Sequence, residues 1–181
     1  MITFDDGTID FWENGRPVLE KYGFSASLFI VTGSVGKKSD WDQHLGELSR
    51  PLMSWNQIRE LHENRYEICS HTHTHRNLRD LNEQDVMSEF VNSKNIIADN
   101  LGAEPKFLAY PRGFYDTIHK QIAKEAGYMG ACAVILKWRD LWYSDQFELK
   151  RMTIKGTETM FRFKLRLLTS KQVKFNELFS G

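Results

Sequence analysis

Short apolar runs alternate with amphipathic segments along this chain. Six of the runs, at residues 2–5, 26–32, 66–70, 107–110, 129–135 and 149–154, are short and bounded mostly by glycine, proline or polar residues, and they read as strands. Between them lie helical patterns with recognisable ends. Ser54 is placed to cap "WNQIRELHEN", Asn82 to cap "EQDVMSEFVNSKNIIADNL", which stops at Gly102, and Asp116 to cap "TIHKQIAKEA", which stops at Gly127. In the longest of these, Val86, Phe90, Ile97 and Leu101 recur near helical spacing and predict one buried stripe. Residues 33–51 show no periodicity and are expected to form a long loop. Strand–helix–strand alternation implies a parallel sheet with helices outside it, open or closed into a barrel. In either form the chemistry collects at the carboxyl ends of the strands.

The polar motifs fall where that rule puts them. Asp5 and Asp6 end the first strand before Gly7; "SHTHTH", with His71, His73 and His75, follows the third; "YPRG", residues 110–113, follows the fourth. In an extended segment alternate histidines share a face, and His71 and His75 share one if the chain turns helically after Ser70. Either geometry lets two imidazoles reach one ion. Two imidazoles and one carboxylate suit a divalent transition metal, zinc by default and cobalt, nickel or iron as alternatives. Three protein ligands leave a position open for water, as in catalytic sites. Neighbouring strand residues point to opposite faces, so Asp5 and Asp6 enter one pocket only if the pleat breaks, which Gly7 permits. Spacing alone does not say which carboxylate binds metal and which takes a proton.

Composition narrows the class. The 181 residues are enough for one domain with a real core, and 24 basic residues cancel 24 acidic ones, so no nucleic-acid partner is expected. The basic excess is confined to the end of the chain, where 155–181 read as a basic helical extension to a domain at 1–154. No apolar run is long enough to span a bilayer, and no charged segment with an apolar one behind it precedes the fold, so export is not expected to be encoded here. Cys69 and Cys132 are too few for a disulfide framework and read as buried free thiols.

"TFDDG" (residues 3–7), "SHTHTH" (70–75) and "AYPRG" (109–113), in this order, resemble the first three motifs of the polysaccharide deacetylases, the NodB-homology group or carbohydrate esterase family 4. The third motif is similar to the "AYPYG" of the branch that acts on poly-N-acetylglucosamine. The resemblance implies an irregular (β/α) barrel and a hydrolase that removes acetyl groups from N-acetylated sugars of an acetylated glycan. It implies Asp6, His71 and His75 as metal ligands, Asp5 as the general base and Thr72 as a brace for the histidine loop. Tyr110 and Pro111 would face substrate, and the Arg112 backbone N–H would help hold the oxyanion. Members of the family are often extracytoplasmic, although the chain itself does not specify a location.

Two departures from the family pattern carry expectations of their own. The arginine that orients the base two residues before the motif's proline is replaced by Ala109, with Arg112 as a spatial substitute. No "LLHD"-like acid motif follows residue 154; of the remaining histidines, His62 and His119 are expected on helix surfaces, and His44 sits in the long loop. In the poly-N-acetylglucosamine branch the acid precedes the first motif, so the barrel is expected to be incomplete at its N-terminus, with sheet edges that a second copy would cover. The alternative to an enzyme is a catalytically impaired carbohydrate-binding relative, with Trp138, Trp142 and Tyr143 stacking on sugar rings. A non-haem iron oxygenase, which also uses two histidines and a carboxylate, fits the alternating chain less well.

Overall fold

The computed structural model describes residues 1–43, 46, 48–134, 145–154, 156–161, 163, 164 and 167. The chain divides into two compact units, Met1–Arg151 and Met152–Gly181. The first ends three residues before the expected boundary. Of the second, Met160, Phe161, Phe163, Lys164 and Leu167 are helical.

All six predicted strands form, as β1 (Thr3–Phe4), β2 (Ser27–Ile30), β3 (Glu67–Ser70), β4 (Phe107–Ala109), β5 (Gly130–Val134) and β6 (Leu149–Arg151). They make one parallel sheet in the order β1-β2-β3-β4-β5-β6, so every crossover joins neighbours. Side chains alternate across it as the pleat requires. Leu28, Ile30, Ile68, Leu108, Ala131 and Ala133 pack toward the helices. Phe29, Cys69, Ala109 and Cys132, with Phe107 and Leu149, form a separate cluster on the other face. Both cysteines there are free and buried, and burial pushes the Cys132 thiol up to about 11.

The helices are α1 (Arg16–Lys21), α2 (Trp55–Glu63), α3 (Glu83–Leu101) and α4 (Thr117–Glu125). Three of them start at the predicted caps. Ser54 and Gln57 form a reciprocal capping box on α2, Asn82 accepts the Asp85 N–H at 2.8 Å on α3, and Gly102 ends α3 at φ +67°. Each such cap is worth about 1 kcal/mol. On α4 the capping box is closed by His119, whose Nδ1 accepts the Asp116 N–H at 2.8 Å. His119 is therefore buried, contrary to the surface position expected for it. Helix α1 was not predicted; it follows a wide turn at Phe11–Gly15 and has Pro17 in its first turn, where a missing N–H costs nothing.

Candidate metal centre

Chain parity brings the polar residues to one mouth of the sheet. Asp5 continues the Thr3 face of β1, His71 continues the Cys69 face of β3, and Arg151 shares the Leu149 face of β6. The pleat breaks after Asp5, because Asp6 (φ +72°) and Gly7 (φ +77°) both take the left-handed conformation. That break turns both carboxylates into the same region, as the sequence required.

Asp6 Oδ1 lies 3.6 Å from His71 Nε2 and 3.6 Å from His75 Nε2. One donor atom from each of the three residues lies within 4.8 Å of the others. Bonds of about 2.0–2.2 Å in tetrahedral geometry place ligand atoms about 3.3–3.6 Å apart, which both Asp6–histidine separations match. His71 Nδ1 lies 2.8 Å from the Ala109 carbonyl oxygen, an acceptor, so Nδ1 carries the hydrogen and the Nε2 lone pair is free for a metal. Burial, with His71 and Arg112 nearby, lowers His75 to about 2, which keeps its imidazole neutral. Burial and the neighbouring Asp5 and Asp42 carboxylates raise Asp6, while His71 pulls it back. A cation would relieve that crowding of negative charge.

The loop carrying the histidines is strained, with Thr72 at φ +67° and His75 at φ +59°. The Thr72 hydroxyl accepts the His75 N–H at 3.1 Å. The middle histidine points elsewhere: His73 Nδ1 sits 3.0 Å from Thr32 Oγ1, and its carbonyl accepts the Gly33 N–H at 2.8 Å. Gly33 is needed there, because a Cβ would come within 2.7 Å of that carbonyl oxygen.

Asp5 is held by a residue that motif reading missed. Arg151 donates from both terminal nitrogens to the two Asp5 oxygens, each at 2.7 Å, and also to Thr3 Oγ1 at 3.1 Å. Its guanidinium lies 4.9 Å from the centre of the Phe29 ring. Burial alone would raise the Asp5 pKa, but His71 and Arg151 outweigh it and hold the carboxyl below its ordinary range.

Arg112 does not take the base-orienting place that Ala109 leaves open. Its guanidinium pairs with Asp42, with Nε at 2.9 Å from Oδ1, and reaches the Trp41 carbonyl at 3.4 Å. It thereby ties down a loop whose Trp41 ring lies 4.7 Å from the His75 ring. An open pocket of about 180 Å³ beside Asp6 is lined by Ser39, Trp41, Asp42, Leu48 and Arg50. The Tyr110 side chain is not at this mouth: it is buried in the core, stacked on Tyr115 at 4.7 Å, and donates its hydroxyl to the Phe147 carbonyl. Its neighbour Pro111 is buried in the turn that gives Arg112 a φ of +55°. His44, Trp138, Trp142 and Tyr143 lie outside the described residues. Among the described residues no helix is long and apolar enough to cross a membrane.

Known proteins resemble this chain in sequence and in fold. The family model described as polysaccharide deacetylase matches residues 1–131. The chain is 33% identical over 128 residues to the protein YxkH of Bacillus subtilis (strain 168), covering 71% of this chain and 42% of the relative. It is 28% identical over 135 residues to the poly-beta-1,6-N-acetyl-D-glucosamine N-deacetylase of Staphylococcus aureus (strain MRSA252), covering 70% of this chain and 44% of the relative. It thus spans about two fifths of the length of these curated relatives. The solved structure of the Streptococcus pyogenes deacetylase PplD superposes with a TM-score of 0.71 at 23% identity, over 90% of this chain and 67% of that one. The fold is therefore that of the NodB-type (β/α) barrels.

Proposed function

Because the chain belongs to the polysaccharide deacetylase family, we propose that it is a metal-dependent hydrolase that removes acetyl groups from N-acetylated sugars of a glycan. The observation that carries this reading is the side-by-side placement of two differently held carboxylates, Asp5 on Arg151 and Asp6 beside His71 and His75. The name of the S. aureus relative favours a polymer of N-acetylglucosamine as the substrate class.

Asp6, His71 and His75 would hold the ion, and zinc is the metal best matched to two imidazole nitrogens and one carboxylate oxygen. When bound, such an ion lowers the pKa of water from about 15.7 to about 7, on the order of 12 kcal/mol, and polarises a carbonyl. Asp5 is the base. Arg151 fixes its carboxylate in the ionised form and aims it, leaving it free to take a proton from the attacking water, worth about 10²–10⁴-fold. Once protonated, Asp5 is an acid already in place for the departing amine, and the adjacent guanidinium favours release of that proton. The Arg112 N–H, presented by the left-handed turn after Pro111, donates to the developing oxyanion, worth about 3–4 kcal/mol. Trp41 and Asp42 form the wall against which the sugar lies.

Acetate release from N-acetylglucosamine oligomers before and after metal removal tests this reading. Chelation should abolish release and added zinc should restore it. Release that survives complete chelation would refute it.

A further inference from the structure

The metal-ligand loop, residues 71–75, is clamped from behind by one carboxylate. Glu89 lies on α3 and is only 8% exposed. Its Oε2 accepts the backbone N–H of His73 at 2.9 Å and of Thr74 at 2.7 Å, and its Oε1 accepts the Thr74 hydroxyl. Both N–H groups lie between the two histidines, at the point where the chain must turn for His71 and His75 to face one ion. One turn further along α3, Ser93 receives a 2.7 Å hydrogen bond from Ser70, whose oxygen in turn accepts the Thr72 N–H at 3.2 Å.

The two histidines are supported differently. His71 is held through its ring by the Ala109 carbonyl. His75 has no such support, since its Nδ1 is buried with no hydrogen-bond partner. A ligand histidine is ordinarily oriented by whatever its second nitrogen bonds. For His75 that task falls to the backbone of a loop with two left-handed residues, and such a backbone keeps its shape only where its surroundings over-determine it. Glu89, with three bonds to the loop, is the one carboxylate among the described residues shown hydrogen-bonding to it.

We propose that Glu89 is a positioning residue of the metal centre: by fixing the His73 and Thr74 amides it sets the spacing of His71 and His75 and thereby the affinity for the ion. The inference rests on the metal-binding reading above, and its test reads metal affinity rather than turnover. Zinc affinity, measured on the full chain by competition with a chromophoric chelator, is compared with melting temperature for wild type, Glu89→Gln, Glu89→Ala and Val86→Ala. Val86 is a fully buried core residue on the same helix with no bond to the loop. Glu89→Ala should weaken zinc binding by about 10–100-fold, and Glu89→Gln by several-fold, since its amide oxygen still accepts the two N–H groups. Val86→Ala should lower the melting temperature and leave zinc affinity within about twofold. A folded Glu89→Ala chain that binds zinc as wild type does would overturn the proposal, as would an equal loss in Val86→Ala. If Glu89→Ala does not fold, wild-type affinity in Glu89→Gln would overturn it. Wild-type chain that takes up no zinc would instead remove the metal reading on which the inference stands.

Discussion

Arg151 grips both carboxylate oxygens of Asp5 at 2.7 Å across 146 positions of sequence, linking the last strand of the sheet to the first. The pair lies on the sheet face opposite the helices, over Phe29, with the guanidinium buried more deeply than the carboxylate. Under the proposed function, Arg151 thus stands beside Asp5 where Ala109 supplies no arginine.

Removing Arg151 should therefore change the pH dependence as well as the rate. Without the guanidinium, burial is opposed only by His71 and the Asp5 pKa rises. A base must be ionised, so the acid-side fall in kcat/KM of Arg151→Ala should move to higher pH, with kcat lower by about 10–100-fold. A pH–rate profile of unchanged shape would show that Arg151 does not tune the base.

Asp5→Asn should separate the two carboxylates. Zinc affinity should stay close to wild type, because Asp5 is not in the ligand set, while turnover should fall by about 10²–10⁴-fold. Full activity in this variant, measured by acetate release, would reject Asp5 as the base.

Gly33→Ala should injure the centre from outside it. The new Cβ would meet the His73 carbonyl oxygen at 2.7 Å and the His73 ring at 3.1 Å, and backbone cannot step aside cheaply. The expected cost is about 1–3 kcal/mol by denaturant unfolding, with weaker zinc binding. A variant as stable as wild type would mean that the loop has slack.

Stability should fall in mild acid. Burial, reinforced by Arg79, lowers His119 below its ordinary 6.5 against the pull of Asp116 and the Leu78 backbone, and the neutral ring accepts the Asp116 N–H. The native state thus binds the proton less readily than the unfolded chain. The stabilisation is present above 6.5 and lost as pH drops below it. His75 has the same sign in the metal-free chain. Between about pH 7.5 and about pH 5.5 the melting temperature should decline, and His119→Gln should flatten the decline. An identical slope in the variant would exclude His119 as a contributor.

Much of this was legible in the sequence, for identifiable reasons. The strands announce themselves as apolar runs cut by turn residues, and Ser54, Asn82 and Asp116 mark helix starts because each supplies an acceptor to orphan N–H groups. Helix α1 was hidden because Gly15 and Pro17 read as breakers and only Leu19 on it is buried. Arg151 belongs to none of the three motifs and lies far from Pro111 in sequence, although period-two alternation puts it on the Leu149 face. Glu89 and Ser93 had a signal too: they interrupt the apolar stripe of Val86, Phe90 and Ile97 with polar residues that turn out to be buried. A polar residue on a core stripe needs a partner, and here the partners are the histidine loop and Ser70. The lean of Trp41 over His75 had no sequence signal, since it depends on the Arg112–Asp42 pair between distant segments.

The most direct measurement is acetate released from an N-acetylglucosamine oligomer by zinc-loaded chain, with His71→Ala alongside. Zinc-dependent release by wild type, absent in the variant, is the expected result. Stoichiometric zinc binding with no acetate from several acetylated glycans would contradict a working deacetylase and leave a metal-binding relative of the same fold.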